Sequence, residues 1–157
     1  MKLCVLVKQV PGSESALRIA SGNTWVEDAA ALFEMNESDN YALEEALQIK
    51  ESLGNDSEVV VVSMGPERVQ KVIREALSKG ADRGIHINEM PEIKSDPFAT
   101  AQVFANVIKV ENFDLIFSGL QSDDVGSGQT GVILGEMLGM ATATLVMATE
   151  VQEGSIK

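Results

Sequence analysis

Leu3-Cys4-Val5-Leu6-Val7 is a continuous apolar run near the start of the chain, and it sets the pattern for the rest of the sequence. Further short apolar runs follow at 59–62, 85–87, 115–117 and, more weakly, 143–148. Runs of this length are typical of strands that are buried on both faces of a parallel sheet. They therefore predict a sheet of about five strands.

Amphipathic segments separate the apolar runs. In the first of them Leu43, Ala46 and Leu47 recur at helical spacing, and three later segments repeat the pattern. Alternation of strands and helices predicts an α/β fold, an open, Rossmann-like parallel sheet with right-handed crossovers and helices on both faces.

Residues that start and stop helices support these segments. Gly54 and Gly80 follow the first two helices, where a C-terminal cap is expected. Asp96 precedes Pro97, which suits a cap before a first-turn proline. Asn36 is the predicted N-cap of the first helix.

Two stretches depart from this alternation. Residues 9–35 are too many for a simple connection, and within them 17–20 and 24–26, split by 21–23, are predicted to form a small hairpin after the first strand. The last residues, 150–157, have the pattern of a strand, a turn and the start of another strand.

Composition limits the kinds of partner. The 157 residues suit a single domain over 1–157, and 24 acidic against 12 basic residues give a net charge of −12. This charge disfavours nucleic acid and anionic membranes as partners. No apolar run approaches the 18 residues of a membrane span, so no membrane insertion is expected. One cysteine cannot form an internal disulfide, which favours a reducing compartment and hence the cytoplasm.

Ligands of open parallel sheets bind beyond the carboxyl ends of the strands. The richest such segment is the loop 119–131, with the sequence Gly-Leu-Gln-Ser-Asp-Asp-Val-Gly-Ser-Gly-Gln-Thr-Gly. Its glycines allow backbone N–H groups to approach an anion, and the helix that follows favours negative charge at its start. The loop therefore predicts a phosphate site; the competing interpretation is a flexible loop that only caps a helix.

The loop matches no established phosphate motif closely. Gly126-x-Gly128-x-x-Gly131 has the spacing of the dinucleotide fingerprint, but it follows the fourth strand instead of the first. No Lys-Ser or Lys-Thr pair follows, so it is not a P-loop. The fingerprint therefore gives only weak support to a nicotinamide-dependent dehydrogenase.

The sequence gives little support to catalysis or metal binding. Asp123 and Asp124 lack the glutamate of a calcium loop. His86, in a predicted strand, is expected to be structural, and Cys4 is expected to fill the core. No Ser-His-Asp, Cys-His or paired-carboxylate arrangement stands out, so we predict no catalytic and no metal-binding residues and favour a nucleotide-binding protein over an enzyme.

Several segments in this order resemble the beta subunit of electron transfer flavoprotein. They are Val7-Lys8-Gln9-Val10-Pro11, then Met35-Asn36 with Leu-Glu-Glu-Ala-Leu-Gln-Ile-Lys-Glu at 43–51, Val-Val-Val-Ser-Met-Gly-Pro at 60–66, Ala-Leu-Ser-Lys-Gly-Ala-Asp-Arg-Gly-Ile at 76–85, and the loop 119–131. The resemblance covers residues 3 to about 151. That family continues further, so its dehydrogenase recognition loop and C-terminal arm are expected to be absent from this chain.

The resemblance implies an electron carrier that is not itself an enzyme. It implies a heterodimer with an alpha subunit. The pair carries FAD, held mainly by the alpha subunit, and relays electrons from flavoprotein dehydrogenases to a quinone reductase or another acceptor. In most members the beta subunit binds AMP; electron-bifurcating members place a second FAD in that site. The loop's ending, Gln129-Thr130-Gly131, resembles the AMP type. A stand-alone ATP-binding stress-type module is a further alternative, because it also places a glycine-rich loop after the fourth strand.

The resemblance also assigns the nucleotide contacts. Leu6 and Met64 would frame the base or backbone side, 36–39 would hold the nucleoside, and 127–130 would hold the phosphate. Many members have Asn-Pro where this chain has Asn36-Glu37. The complete set of expected binding residues is Leu6, Asn36, Glu37, Ser38, Asp39, Met64, Gly119, Gln121, Asp124, Gly126, Ser127, Gly128, Gln129 and Thr130.

Overall fold

A computed structural model describes residues 1–23, 26–27, 29, 31–88, 96–152 and 154–157. The strands are β1 (Lys2–Leu6), β2 (Gln9–Pro11), β3 (Phe33–Met35), β4 (Glu58–Gly65), β5 (Arg83–Asn88), β6 (Leu115–Ser118), β7 (Val151–Gln152) and β8 (Ser155–Ile156). The α-helices are α1 (Glu37–Leu53), α2 (Gln70–Lys79), α3 (Pro97–Ile108) and α4 (Thr130–Leu138), with short 3-10 turns at Gly54–Asp56 and Glu67–Val69.

The main sheet is parallel and has the strand order β5-β4-β1-β6. Val5 in β1 lies opposite Val61 of β4 on one side and Phe117 of β6 on the other. The strands β4 and β5 therefore lie on one side of β1, and β6, which comes later in the chain, lies on the other side. This confirms the predicted α/β class and places a reversal of strand order between β1 and β6.

Side chains of the sheet alternate between two hydrophobic cores. Leu3 and Val5 of β1 face the core formed with α1 and α2, while Cys4 and Leu6 face the core formed with α3 and α4. Helices therefore cover both faces, as predicted. Burial on both faces explains why β1 and β4 have unbroken apolar sequences.

The predicted helix ends agree with the structure. Gly54 and Gly80 follow α1 and α2 with φ angles of 74° and 123°, values that L side chains rarely adopt. The Asp96 carboxylate accepts hydrogen bonds from the N–H groups of Phe98 at 2.8 Å and Ala99 at 3.0 Å. Gly54 and Gly80 therefore end their helices, and Asp96 provides an acceptor for two backbone N–H groups at the start of α3.

The weak apolar run 143–148 forms no strand, so the described part of the main sheet has four strands instead of about five. Leu145 has a left-handed φ of 57°, which interrupts an extended backbone. The segment instead connects α4 on one face to α1 on the other, where Thr149 donates hydrogen bonds from its N–H and hydroxyl to Glu45. Beyond it β7 and β8 pair antiparallel, with Val151 opposite Ile156, which confirms the predicted strand, turn and strand.

Residues 9–35 form an excursion from the sheet whose ends meet. The Asn36 N–H donates to the Lys8 carbonyl at 2.9 Å, and β2 pairs antiparallel with β3, a pairing the sequence did not predict. Further out, Ile19 bridges Val26 in antiparallel fashion, as the predicted hairpin requires. Thr24 and Trp25 of that hairpin lie outside the described residues.

A side-chain contact attaches the excursion to the turn after β4. The Gln9 amide donates to the Arg68 carbonyl at 3.0 Å, and the Arg68 guanidinium donates to Gln9 Oε1 at 2.6 Å. The same guanidinium lies 3.7 Å from the centre of the Phe33 ring. The β2–β3 pair is therefore fixed against the main sheet.

In the part of the chain that the structure describes, no helix is long and apolar enough to cross a membrane.

Close packing of α2 on β5 requires a glycine at position 84. A Cβ on Gly84 would overlap Cγ2 of Ile73. We expect Gly84→Ala to lower the free energy of unfolding by about 1–3 kcal/mol, measured by urea denaturation. Ile73→Ala removes the overlapping methyl group, so the double variant should lose less than the sum of the two single losses. Strictly additive losses would contradict the contact.

Candidate functional site

The candidate site lies at the carboxyl ends of β1 and β6, where the strand order reverses. Ligands of open α/β sheets bind in the crevice at such a switch point. Lys8 follows β1, the loop 119–129 follows β6, and the first turn of α1 packs between them. The site is therefore built from three segments that are distant in sequence.

Asp39 connects the two strand ends directly. Its Oδ2 accepts a hydrogen bond from the Lys8 N–H at 2.7 Å, and its Oδ1 accepts one from the Gly119 N–H at 3.0 Å. The side chain is only 6% exposed. Burial raises the pKa of this carboxyl to about 6, although the hydrogen bonds from Lys8, Asn36 and Gly119 act to lower it. Asp39 thus holds the start of the loop against the end of β1.

Gly119 allows α1 to approach the loop closely. A Cβ at this position would overlap Ser38 Oγ and Asp39 Oδ1 and would lie 2.8 Å from the Ser38 carbonyl carbon. A residue larger than glycine would therefore push the loop away from α1 and break its hydrogen bond to Asp39.

Asn36 occupies the predicted N-cap position of α1, but its side chain caps nothing in the helix. Its Nδ2 donates to the Gln121 carbonyl at 3.0 Å and to Ser38 Oγ at 2.9 Å, while its Oδ1 accepts from the Asp123 N–H at 2.9 Å. The side chain is 1% exposed. Asn36 therefore fastens the loop through both ends of its amide.

Two further contacts from α1 reach the same loop. The Ser38 hydroxyl donates to the Gln121 carbonyl at 2.7 Å, and the Glu37 N–H donates to the Asp123 carboxylate at 3.0 Å. The first half of the loop is thus held by the first turn of α1, which provides backbone and side-chain groups at neighbouring positions.

Lys8 fixes the middle of the loop. Its ammonium donates to Asp124 Oδ1 at 2.6 Å and to Ser122 Oγ at 3.2 Å. Burial acts to raise the pKa of Asp124, but the hydrogen bonds from Lys8 and Ser122 outweigh it, and the pKa is lowered. The cation at this site is therefore already neutralised by the protein's own carboxylate.

The second half of the loop is open. Gly126 and Gly128 have φ angles of 66° and 61°, and residues 123–129 are exposed. No described side chain caps the start of α4, which begins at Thr130 after Gln129. The N–H groups of a helix's first turn lack partners within the helix. This half of the loop can therefore bind an anion through backbone N–H groups.

The structure brings most of the expected binding residues together. The first turn of α1 contacts the loop at every expected position from 36 to 39. Asn36 and Ser38 bind the Gln121 carbonyl, Asp39 binds the Gly119 N–H, and Glu37 binds Asp123, the neighbour of the expected Asp124. Leu6 and Met64 lie at the carboxyl ends of the neighbouring strands β1 and β4, packed in the core with α3 and α4. The open half of the loop contains the remaining expected residues, Gly126, Ser127, Gly128, Gln129 and Thr130.

Sequence reasoning did not include Lys8, Ser122 and Asp123 among the binding residues. Lys8 could have been found, since it is a cation directly after a buried parallel strand and faces the loop with paired aspartates. Ser122 acts through its hydroxyl, and Asp123 acts through its backbone N–H and its carboxylate. No sequence spacing indicates these contacts.

Groups outside the crevice show structural contacts. His86 Nε2 lies 2.8 Å from the Gly65 carbonyl oxygen on the neighbouring strand. Burial raises the pKa of the Cys4 thiol to about 12, which keeps it protonated and unreactive. Among the described residues, no group of three or more His, Cys, Asp and Glu side chains is placed to hold a metal ion.

Loss of the Asn36 amide should free the first half of the loop. We expect Asn36→Ala to lower the free energy of unfolding by about 1–2 kcal/mol, because it removes the hydrogen bonds that this buried amide makes to Gln121 and Asp123. Amide hydrogen exchange should lose protection at Asp123. Gln48→Ala, on the exposed side of the same helix, should change stability by less than about 0.5 kcal/mol. Unchanged exchange at Asp123 in the Asn36 variant would contradict this contact.

Comparison with known proteins gives one consistent family. Residues 24–157 match the electron transfer flavoprotein domain. The electron transfer flavoprotein subunit beta of Methylophilus methylotrophus is 36% identical over 157 residues, which is 100% of this chain and 60% of that relative. The subunit of the same name from Bradyrhizobium diazoefficiens is 38% identical over 157 residues, 100% of this chain and 62% of the relative.

A relative from Arabidopsis thaliana, whose name reads electron transfer flavoprotein subunit beta, mitochondrial, is 38% identical over 144 residues, 92% of this chain and 56% of the relative. The chain thus spans about 56–62% of the length of these relatives. The family match covers most of the chain, and the resemblance found in the sequence is confirmed. The chain belongs to the electron transfer flavoprotein family and is similar along its length to its beta subunits.

Proposed function

We propose that this chain is the nucleotide-binding part of an electron transfer flavoprotein beta subunit and that it binds AMP in the crevice between β1 and β6. The observation that carries the proposal is the glycine-rich loop, fastened to α1 by Asn36, Ser38 and Asp39 and open where it enters α4. We further propose that it pairs with an alpha subunit, in the cytoplasm, as a carrier and not an enzyme.

Backbone groups would provide most of the attraction for the phosphate. Gly128 keeps the backbone of the open half accessible, whereas the Gly126 N–H already donates to the Ser122 carbonyl. The start of α4 favours negative charge. Because the Lys8 ammonium is already paired with Asp124, the phosphate would be held by backbone N–H groups and not by a basic patch. Residues 36–39 would lie beside the nucleoside, where their main function is to hold the loop in place.

FAD, held mainly by the alpha subunit, would supply the redox chemistry of the assembled protein. In this proposal electrons come from a flavoprotein dehydrogenase and pass to an acceptor. The residues described here would contribute by binding AMP and ordering the loop. They offer no side chain to the transfer itself.

Identification of a co-purified nucleotide tests the proposal. The purified chain is denatured and the released small molecules are identified by chromatography and mass spectrometry. AMP at about one equivalent is the expected result. FAD would instead favour the bifurcating type, and ATP from a homodimer would favour the stress-type module. If the full-length form co-expressed with its alpha subunit binds no flavin, the electron-transfer proposal fails.

The open half of the loop offers a matched pair of variants. Gly128 and Gly139 both have left-handed φ angles, of 61° and 66°, but only Gly128 lies in the loop. Alanine at either position should cost about 1–2 kcal/mol of stability. Only Gly128→Ala should also weaken AMP binding, by about tenfold or 1.4 kcal/mol, measured by calorimetric titration.

The result depends on the difference between the two variants. A Cβ at Gly128 would lie 3.3 Å from the Leu120 carbonyl oxygen and would shift the loop, whereas a Cβ at Gly139 meets nothing within 4 Å. Equal loss of AMP affinity in both variants would show that the loop is not the phosphate site.

A further inference from the structure

Asp39 is an ionisable group in an unusual position. It is buried, and each of its two oxygens accepts a backbone N–H from a different strand end, Lys8 after β1 and Gly119 after β6. Only an ionised carboxylate offers acceptors on both oxygens without a proton in the way. The contact between the strand ends is therefore sensitive to the charge of this one side chain.

The charged groups around Asp39 do not compensate its charge closely. Lys8 faces it from the end of β1, but the Lys8 ammonium is bound to Asp124 at 2.6 Å. The loop also carries Asp123 and Asp124, whose carboxylates bind the Glu37 N–H and the Lys8 ammonium, and Glu37 lies on the same helix as Asp39. Burial is the largest influence and raises the pKa of Asp39 to about 6, although the hydrogen bonds to Asp39 and the charge of Lys8 act to lower it.

A raised pKa means that the ionised form costs stability. The folded chain binds this proton more tightly than the unfolded chain, in which the pKa is near 4. The contribution of Asp39 to stability is therefore full below pH 4 and is lost as the pH rises through about 6. The fold alone would be more stable with the carboxyl protonated at neutral pH. A buried charge kept at such a cost is typical of a functional site.

We propose that Asp39 is a positioning residue for the nucleotide: its ionised carboxylate holds the Gly119 loop against β1, and its protonation loosens the loop and weakens nucleotide binding. This inference rests on the proposed function. Protonation places a hydrogen on one oxygen, which then faces a donor N–H and loses that bond.

The other attachments of the loop should persist at mildly acidic pH. Asn36 and Ser38 do not titrate, and the pKa of Asp124 is already below its ordinary value, so its bond to Lys8 remains. Among these attachments, the change between pH 7.5 and 5.0 is therefore expected at the bonds that the Asp39 carboxylate itself accepts.

The first experiment follows the two amides in the chain without added nucleotide. In proton–nitrogen NMR spectra between pH 7.5 and 5.0, the N–H signals of Lys8 and Gly119 should titrate together with a midpoint near 6. Asp39→Asn should abolish the shared titration. Glu51→Gln, an exposed carboxylate on the same helix, should leave it unchanged. If the wild-type signals of Lys8 and Gly119 do not shift together, the inference is overturned. This outcome is measured on the wild-type chain and does not depend on whether a variant folds.

The second experiment measures AMP affinity over the same pH range. The phosphate of AMP itself titrates near pH 6, so wild type is compared with Asp39→Asn, which removes the titration of Asp39 and keeps that of the ligand. Wild type should lose about tenfold more affinity between pH 7.5 and 5.0 than the variant. Equal pH dependence in both would overturn the role of Asp39 while leaving AMP binding intact. No AMP binding at any pH, with the amides still titrating, would instead overturn the proposed function.

Discussion

The rest of the structure depends on β1, which is paired on both edges and covered on both faces. Leu3, Cys4 and Val5 are fully buried, and the strand pairs with β4 and β6 over nearly its whole length. Its end is therefore a fixed point from which Lys8 projects. The loop after β6 and the first turn of α1 are then placed relative to that point by hydrogen bonds that converge on Lys8 and Asp39.

The pKa values of carboxyl groups shift in opposite directions at the two ends of the sheet. At the amino end Glu111 accepts hydrogen bonds from Arg83 at 2.6 Å and Lys2 at 2.7 Å, and these bonds lower the pKa of Glu111 to about 2. At the carboxyl end burial raises the pKa of Asp39 instead. At the amino end the charged side chains pair with one another, whereas the carboxyl end combines the Lys8–Asp124 ion pair with a buried carboxylate that accepts backbone N–H groups. In the proposed function, this difference would let backbone N–H groups bind a phosphate in a chain whose net charge is −12.

Sequence patterns predicted the architecture well because burial on two faces leaves a strong signal. The apolar runs at β1 and β4 and the glycines after α1 and α2 each have a single simple interpretation. The run at 143–148 was misleading, since apolar content alone does not require a strand and Leu145 adopts a left-handed backbone. The β2–β3 pair was not predicted, because strands of three residues are too short to show a periodic pattern.

The site was predictable as a region, and its contacts were not. The loop 119–131 was evident from its glycines, whereas the role of Asn36 was not, because a residue before a helix has the same sequence signature whether its side chain caps the helix or crosses to a neighbouring loop. Lys8 belongs to the site through a contact 116 residues away in the chain. Such pairings arise from the strand order, which local sequence does not contain.

The excursion between β1 and α1 has a consequence for how this protein can vary. Its two ends are joined by the hydrogen bond between the Asn36 N–H and the Lys8 carbonyl, so the outer residues close a loop whose base is already fixed. The entropic cost of closing such a loop grows only slowly with its length. Residues can therefore be inserted or removed near its tip while Lys8 and Asn36 keep their separation, which makes the tip a suitable place for natural length variation or for an engineered label.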